Sequence, residues 1–322
     1  VTDETGQHST TGQQPTAGEP VEAGRRAVEQ PGATFRIGGE REVRRLGFGA
    51  MRLPTEQGPE RAEALAVARR AVELGVNFVD TAHMYGWGAN EELLAEALHP
   101  YPDGLLIATK VGIVRAEPGT GQESPVGEIA QDARPEVLPG QVDEGLRRLR
   151  VERLELVQLH RLDPQVPIAD QVGALADLQR AGKIGHIGLS EVSVAELDEA
   201  RRHAEIASVQ NRYSVLHREH EPVLEACEAA GVAFLPWRPV AEATPGELPG
   251  AGAEAAAEIA AVAQELGATA AQVSLAWLLA HSPVLVPIPG TSSVPHLEEN
   301  VAAASLPLTA EQHLRLARLG RA

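Results

Sequence analysis

Asp80, Tyr85, Lys110 and His160 are the residues of this chain whose types, taken together, could do acid–base chemistry. A tyrosine with a reference pKa of about 10 gives up its proton poorly at neutral pH. An ammonium beside it favours the phenolate and lowers that pKa, while a carboxylate keeps the ammonium charged and oriented. A neutral imidazole can then position a carbonyl oxygen by hydrogen bonding. The choice of lysine supports this reading. The chain carries 28 Lys and Arg, yet Lys stands only at Lys110 and Lys183. A compact ammonium approaches a phenol oxygen as a point charge, where a guanidinium fork would fill the space. Each residue alone has a plainer explanation: Asp80 as a helix cap, Lys110 as a snorkelling amine, His160 as a satisfied core histidine. The set is harder to explain that way.

Such residues need elements that bring them together. Short apolar runs recur along the chain: LGFGAM (46–51), VNFVD (76–80), LLIATK (105–110), LELVQLH (154–160), IGHIGLS (184–190), IASVQ (206–210), VAFLPW (232–237) and VLVPIPG (284–290). Between them lie segments with apolar residues at three- and four-residue intervals, such as 61–75, 135–150 and 195–205, which read as amphipathic helices. Gly75, Gly182 and Gly231 sit where helices commonly end. Eight strand candidates alternating with helices within one domain predict an α/β fold, a (β/α)8 TIM barrel, rather than an open doubly wound sheet. Asp80, Lys110, His160, Ser190 and Gln210 each end a strand candidate, and in a barrel those ends converge on one mouth. Two helical segments, 253–267 and 269–281, precede the last strand, so one is an insertion. The segment 112–134 is a long loop on the same face and reads as a substrate-side lid.

The barrel domain is expected over 33–322, opening with a β-hairpin in TFRIGGEREVRRL around Gly38 and Gly39. Residues 1–32 lack aromatic residues and apolar periodicity and read as a disordered tail. A formal charge of −17 disfavours nucleic-acid and anionic-membrane partners. The sequence shows no apolar run of transmembrane length and no secretory pattern, which suggests the cytoplasm. Cys227 is the single cysteine and reads as a buried apolar residue.

The segments LGFGAMRLP, NFVDTAHMYGWGANEELLAEAL, IATKVG, LELVQLHR, GKIGHIGLS, SVQNRYS and PIPGTSSVPHLEEN resemble the signature segments of the aldo-keto reductases, from about residue 35 to the C-terminus. The resemblance implies a barrel with a hairpin closing its bottom, and Asp80, Tyr85, Lys110 and His160 as a catalytic tetrad. It implies hydride transfer from NADPH, with NADH possible, to the carbonyl of an aldehyde or ketone while Tyr85 protonates the oxygen. No metal takes part. Residue by residue, Ser190 and Gln210 fall where the nicotinamide carboxamide is held. Glu191 stands where many members have Asn, and Trp237 where an aromatic stacks on the nicotinamide ring. Gly290, Thr291, Ser292, Ser293, His296, Glu299 and Asn300 fall in the segment that cradles the adenosine ribose-phosphate. There His296 replaces the Arg of many NADPH-using relatives, and Glu298 and Glu299 add negative charge nearby. Met84, Trp87 and Ile113 are placed to line an apolar substrate pocket.

Three other readings stand beside this one. A cofactor-binding sensor or accessory barrel of the same family would keep the fold with little turnover. A metal-dependent hydrolase on a barrel would need a His-x-His pair at the strand ends, and none occurs; HREH (217–220) reads as a solvated helix start. A Rossmann dehydrogenase is opposed by GFGAMR, where Arg52 stands in place of the third glycine.

Overall fold

The computed structural model describes residues 1–2, 33–124, 127–240 and 251–321. The expected tail therefore lies, apart from its first two residues, outside the described region.

Seven parallel strands form one sheet: β3 (Phe48–Gly49), β4 (Phe78–Asp80), β5 (Leu106–Val111), β8 (Leu154–Leu159), β9 (Ile184–Ser190), β10 (Ile206–Gln210) and β11 (Ala233–Phe234), paired in that order. The segment 284–290 closes the sheet into a (β/α)8 barrel. Val286 N donates to Phe234 O at 2.8 Å on one side, and Gly47 N and Gly49 N donate to Pro287 O and Pro289 O at 2.9 and 3.1 Å on the other. Pro287 and Pro289 have no N–H to give, so on the β3 side this eighth segment only accepts, and its regular pairing is limited to an isolated parallel bridge between Leu285 and Phe234. Pro236 shortens β11 for the same reason, so the expected strand 232–237 contracts to two residues.

Helices alternate with the strands as expected: α1 (Pro59–Glu73), α2 (Ala89–Leu98), α3 (Leu138–Leu149), α4 (Ile168–Arg180), α5 (Val194–Ala200), α6 (Glu221–Ala230), then α7 (Ala251–Leu266) and α8 (Ala270–His281) ahead of the eighth segment, and α9 (Val294–Ala302) and α10 (Ala310–Ala317) after it. Gly75, Gly182 and Gly231 follow their helices with φ of 89°, 76° and 67°, the left-handed stop that glycine takes without strain. The hairpin β1 (Thr34–Ile37) and β2 (Arg41–Arg44) turns through Gly38 and Gly39 at φ 59° and 71°.

The hairpin plugs the bottom of the barrel. Its Ile37 and Val43 pack with Phe78, Leu106, Ala108, Leu156, Ala233, Val286 and Ile288 in an interior cluster separate from the larger core beneath the helices. Strand side chains alternate between these two layers. Phe78 faces the interior, so Asp80 does too. Leu106 and Ala108 lead to Lys110, and Leu156 leads to Gln158. The barrel interior is thus apolar below and polar at its upper end. Arg45, buried after β2, ties the hairpin to the end of α8 and the start of the eighth segment by donating to Leu279 O, Ser282 O and Leu285 O at 2.9, 2.5 and 3.1 Å.

The segment 112–134, expected as a loop, carries a small antiparallel ladder of β6 (Ile113–Arg115) and β7 (Ile129–Gln131). HREH does start a helix, but His220 is half-buried, with Nδ1 3.1 Å from Asn211 Nδ2, and so is not a solvated residue. Cys227 is buried. Among the described residues no helix is long and apolar enough to cross a membrane, and no cluster of His, Cys, Asp and Glu is arranged to hold a metal ion.

Candidate active site

Lys110, at the upper end of β5, is fully buried, and its Nζ donates to Asp80 Oδ2 at 2.6 Å, Thr81 O at 2.8 Å and Tyr85 Oη at 3.2 Å. Three partners use all three ammonium protons. Asp80, 3% exposed, also accepts from Gln210 Nε2 at 2.8 Å and Gln158 Nε2 at 3.3 Å through its other oxygen. Six strand-end or loop residues, Asp80, Thr81, Tyr85, Lys110, Gln158 and Gln210, are therefore one network. Tyr85 enters from the turn after β4, where Gly86 and Trp87 both take left-handed conformations, φ 57° and 52°. For Trp87 that conformation is strained. Its ring lies against the Arg115 guanidinium at 4.8 Å, linking this turn to the β6–β7 ladder.

The electrostatics differ from the expectation in one respect. Burial pushes the Tyr85 phenol upward, and the opposing charge of Lys110 does not overcome it, so the net shift is up rather than down. Burial also presses Lys110 toward neutrality, but Asp80 and Tyr85 outweigh it and its ammonium is held more firmly than usual. His160 is held well below the ordinary imidazole value by burial and then by the charges of Lys110 and Arg161. Its ring meets the Tyr85 ring edge-on at 5.8 Å. His160 Nδ1 is buried without a partner among the described residues. The arrangement is a protonated phenol and a neutral imidazole beside a buried ammonium.

The remaining candidates fall into separate groups. Glu191, expected at the carboxamide, has φ 56° and turns to Trp237: Oε1 accepts from the indole Nε1 at 2.5 Å and from Arg212 N at 2.7 Å. Arg212 and Arg238 lie 6.0 and 5.7 Å from the Trp237 ring. Ser190 Oγ accepts from Arg161 at 3.2 Å. Gly290 abuts β3, where a Cβ would come within 2.8 Å of Gly49 O. Beyond it, Thr291 Oγ1 accepts from Ser293 N at 3.1 Å. Ser292, His296 and Glu299 are exposed, and Asn300 is buried. Ile113 is buried, while Met84 and Trp87 are half-buried.

Sequence reasoning missed Gln158 and Arg161. Gln158 was legible as a polar residue two positions before His160 on an inward-facing period. It also missed what the Asn and Glu of GANEE do. Asn90 joins Thr81 Oγ1 at 2.7 Å to Ala50 O at 2.9 Å, and the buried Glu91 accepts from Thr109 Oγ1 at 2.5 Å and Arg148 Nη1 at 3.3 Å.

A family model described as the aldo/keto reductase family matches residues 45–321. The chain belongs to the aldo-keto reductase family. It is 43% identical to an uncharacterised oxidoreductase of Schizosaccharomyces pombe over 88% of this chain and 89% of that protein. It is 39% identical to pyridoxine 4-dehydrogenase of Escherichia coli over 86% of this chain and 95% of that one. Among solved structures, an aldo/keto reductase of Klebsiella pneumoniae in complex with NADP and acetate superposes with a TM-score of 0.76 at 26% identity, covering 89% and 95% of the two chains. As a member of this family the protein is an oxidoreductase.

Proposed function

We propose that this aldo-keto reductase reduces the carbonyl group of an aldehyde or ketone with NADPH. The observation that carries the proposal is the Asp80–Lys110–Tyr85 chain at 2.6 and 3.2 Å. Lys110 donates to the phenol oxygen, which leaves the phenol proton free to point toward the mouth. Tyr85 then gives that proton to the carbonyl oxygen, and Lys110 stabilises the phenolate left behind. His160, held neutral, orients the carbonyl oxygen by donating a ring N–H.

The residues present fit a nicotinamide dinucleotide. Trp237 offers a flat face that Glu191 holds in one orientation. Ser190, the residue before Glu191, offers a hydroxyl at the end of β9. The start of α9 has no side-chain cap and no acidic residue in its first turn, with the Thr291, Ser292 and Ser293 hydroxyls just before it, which suits a phosphate group. When bound, NADPH supplies the hydride that reaches the carbonyl carbon.

The Escherichia coli relative's name suggests the substrate class: a ring-borne primary alcohol and its aldehyde, as in pyridoxine and pyridoxal. Initial rates with NADPH and with NADH on pyridoxal, benzaldehyde and a panel of aliphatic aldehydes and ketones test the proposal. Turnover of any of them supports reductase chemistry. A folded protein that binds NADPH yet turns over none would instead be a cofactor-binding barrel.

A further inference from the structure

Arg161 follows His160 directly, and the chemistry above leaves it without a task. Its side chain folds back over the barrel mouth, where Nη1 donates to His160 O at 2.5 Å and to Ser190 Oγ at 3.2 Å. It lies close enough to Tyr85 and His160 for its charge to act on both. The guanidinium is half-buried, and burial weakens its hold on its proton. A cation in that position normally has a carboxylate against it. Arg148 does, with Glu91 and Glu144, and so does Arg315, with Glu258 and Glu265. Arg161 forms no ion pair among the described residues, in a chain with 45 carboxylates. Glu191, the carboxylate whose charge acts on it, makes no ion pair with it: Oε1 accepts from Trp237 and the Arg212 backbone, and Oε2 lies 3.8 Å from His220 Nε2. Nε and Nη2 of Arg161 make no hydrogen bond among the described residues and are not among the occluded polar atoms, while Nη1 anchors the group to His160 O and Ser190 Oγ at the strand ends.

We propose that Arg161 is a substrate-binding residue, and that the carbonyl compound taken by this site bears a negatively charged oxygen, carboxylate or phenolate, near its carbonyl group. The inference rests on the reductase reading and narrows it. With the carbonyl oxygen between Tyr85 and His160, a neighbouring oxyanion meets the open edge of the guanidinium. A planar fork binds such an oxygen with charge-assisted hydrogen bonds and supplies the missing counter-charge. The bonds to His160 O and Ser190 Oγ fix the fork before substrate arrives.

The test compares kcat/KM on matched aldehydes with NADPH. Salicylaldehyde, assayed above its phenol pKa, is set against benzaldehyde, and succinic semialdehyde against butanal. Wild type, Arg161→Gln and Arg161→Lys are measured, each checked by circular dichroism and NADPH Kd. In Arg161→Gln the charged-to-neutral ratio should fall about ten- to a hundredfold, chiefly through KM, and Arg161→Lys should restore part of it. A fall confined to the salicylaldehyde pair identifies a phenolate, and one confined to the succinic semialdehyde pair a carboxylate. Equal losses on both members of each pair, with weaker NADPH binding, would show that Arg161 acts through Ser190 and the cofactor, and would overturn the inference while leaving reductase activity intact. A wild type that reduces no aldehyde sinks the reductase reading and the inference with it.

Discussion

The Lys110 ammonium donates to Asp80 at 2.6 Å from the adjacent strand, and neither side chain reaches solvent. Two charges in such a place cost a great deal to desolvate, so each depends on the other. Lys110→Met should therefore destabilise the barrel by about 3–5 kcal/mol, because it leaves Asp80 buried with only the Gln158 and Gln210 amides. The double variant Lys110→Met/Asp80→Asn should recover part of that loss, since no uncompensated charge remains. Urea unfolding of wild type, Lys110→Met, Asp80→Asn and the double variant gives the coupling directly. Additive single effects would show that the two groups do not interact.

Tyr85 is expected to be the acid. Tyr85→Phe should lower kcat by about 10²–10⁴-fold with little change in NADPH Kd, because the ring and its packing stay. The pH profile of carbonyl reduction carries the sign. The donor must hold its proton, and the folded phenol pKa is raised above 10.0. The protonated form then persists through neutral pH, and kcat/KM should be flat until the solution is more alkaline than the ordinary tyrosine value. A descending limb near neutrality that survives in Tyr85→Phe would assign the proton to another group.

Part of this site is legible in the sequence alone. Asp80, Lys110, Ser190 and Gln210 stood out because a polar residue closing an apolar run has a single interior direction in a barrel strand. The closing segment 284–290 was legible as a barrel element but not as one without a ladder, because composition does not say which neighbour each proline carbonyl meets. The net direction of the Tyr85 shift was not legible either. It is a contest between burial and Lys110, and burial is a property of the packed fold. The contact of Glu191 with Trp237, 46 residues away, was not legible either, because it depends on a left-handed backbone at Glu191. Long-range partners of this kind leave no local pattern.

Acid should loosen the fold before the carboxylates titrate. His160 is held neutral well below 6.5, and His83 and His313 are shifted down as well, in each case first by burial. The unfolded chain takes up these protons as pH falls through about 6.5, while the folded chain takes them up only at lower pH. The stability they contribute is full above that value and is lost below it, at up to about 1.4 kcal/mol per pH unit for each group. Urea midpoints taken between about pH 7 and pH 5 should fall, and His160→Gln should fall less steeply than wild type. Parallel slopes would mean that His160 protonates in the folded protein.

Glu191 should act on cofactor binding through Trp237. Removing the carboxylate in Glu191→Ala frees the indole from its 2.5 Å bond and the Arg212 backbone from its 2.7 Å bond. A hydrogen bond to a charged group is worth about 1.5–3 kcal/mol, so NADPH Kd should rise roughly ten- to a hundredfold if the fixed indole is the stacking face. Tryptophan emission should shift to the red as the ring gains solvent. An unchanged Kd accompanied by that shift would separate Trp237 from the nicotinamide.

Cofactor choice turns on His296. It is exposed in the first turn of α9, where many NADPH-using relatives carry an Arg that can fork onto a phosphate. Of the two carboxylates that follow, Glu298 is bound by Arg70 from α1, at 2.7 and 2.8 Å, so its charge is offset there rather than set against a phosphate. That leaves Glu299 as the exposed acidic neighbour, and the Thr291, Ser292 and Ser293 hydroxyls as neutral donors. NADPH should be preferred over NADH, but by less than in relatives with Arg. His296→Arg should strengthen NADPH binding by about 1.5–3 kcal/mol while leaving NADH nearly unchanged, because only the former carries the 2′-phosphate. Arg70→Ala, which releases the Glu298 carboxylate, should move the preference the other way. Kd values for both cofactors in the three proteins decide the matter. If His296→Arg tightens NADPH and NADH equally, the side chain faces the shared pyrophosphate and the 2′-phosphate lies elsewhere. If it tightens neither, the start of α9 is not where the adenosine phosphate binds.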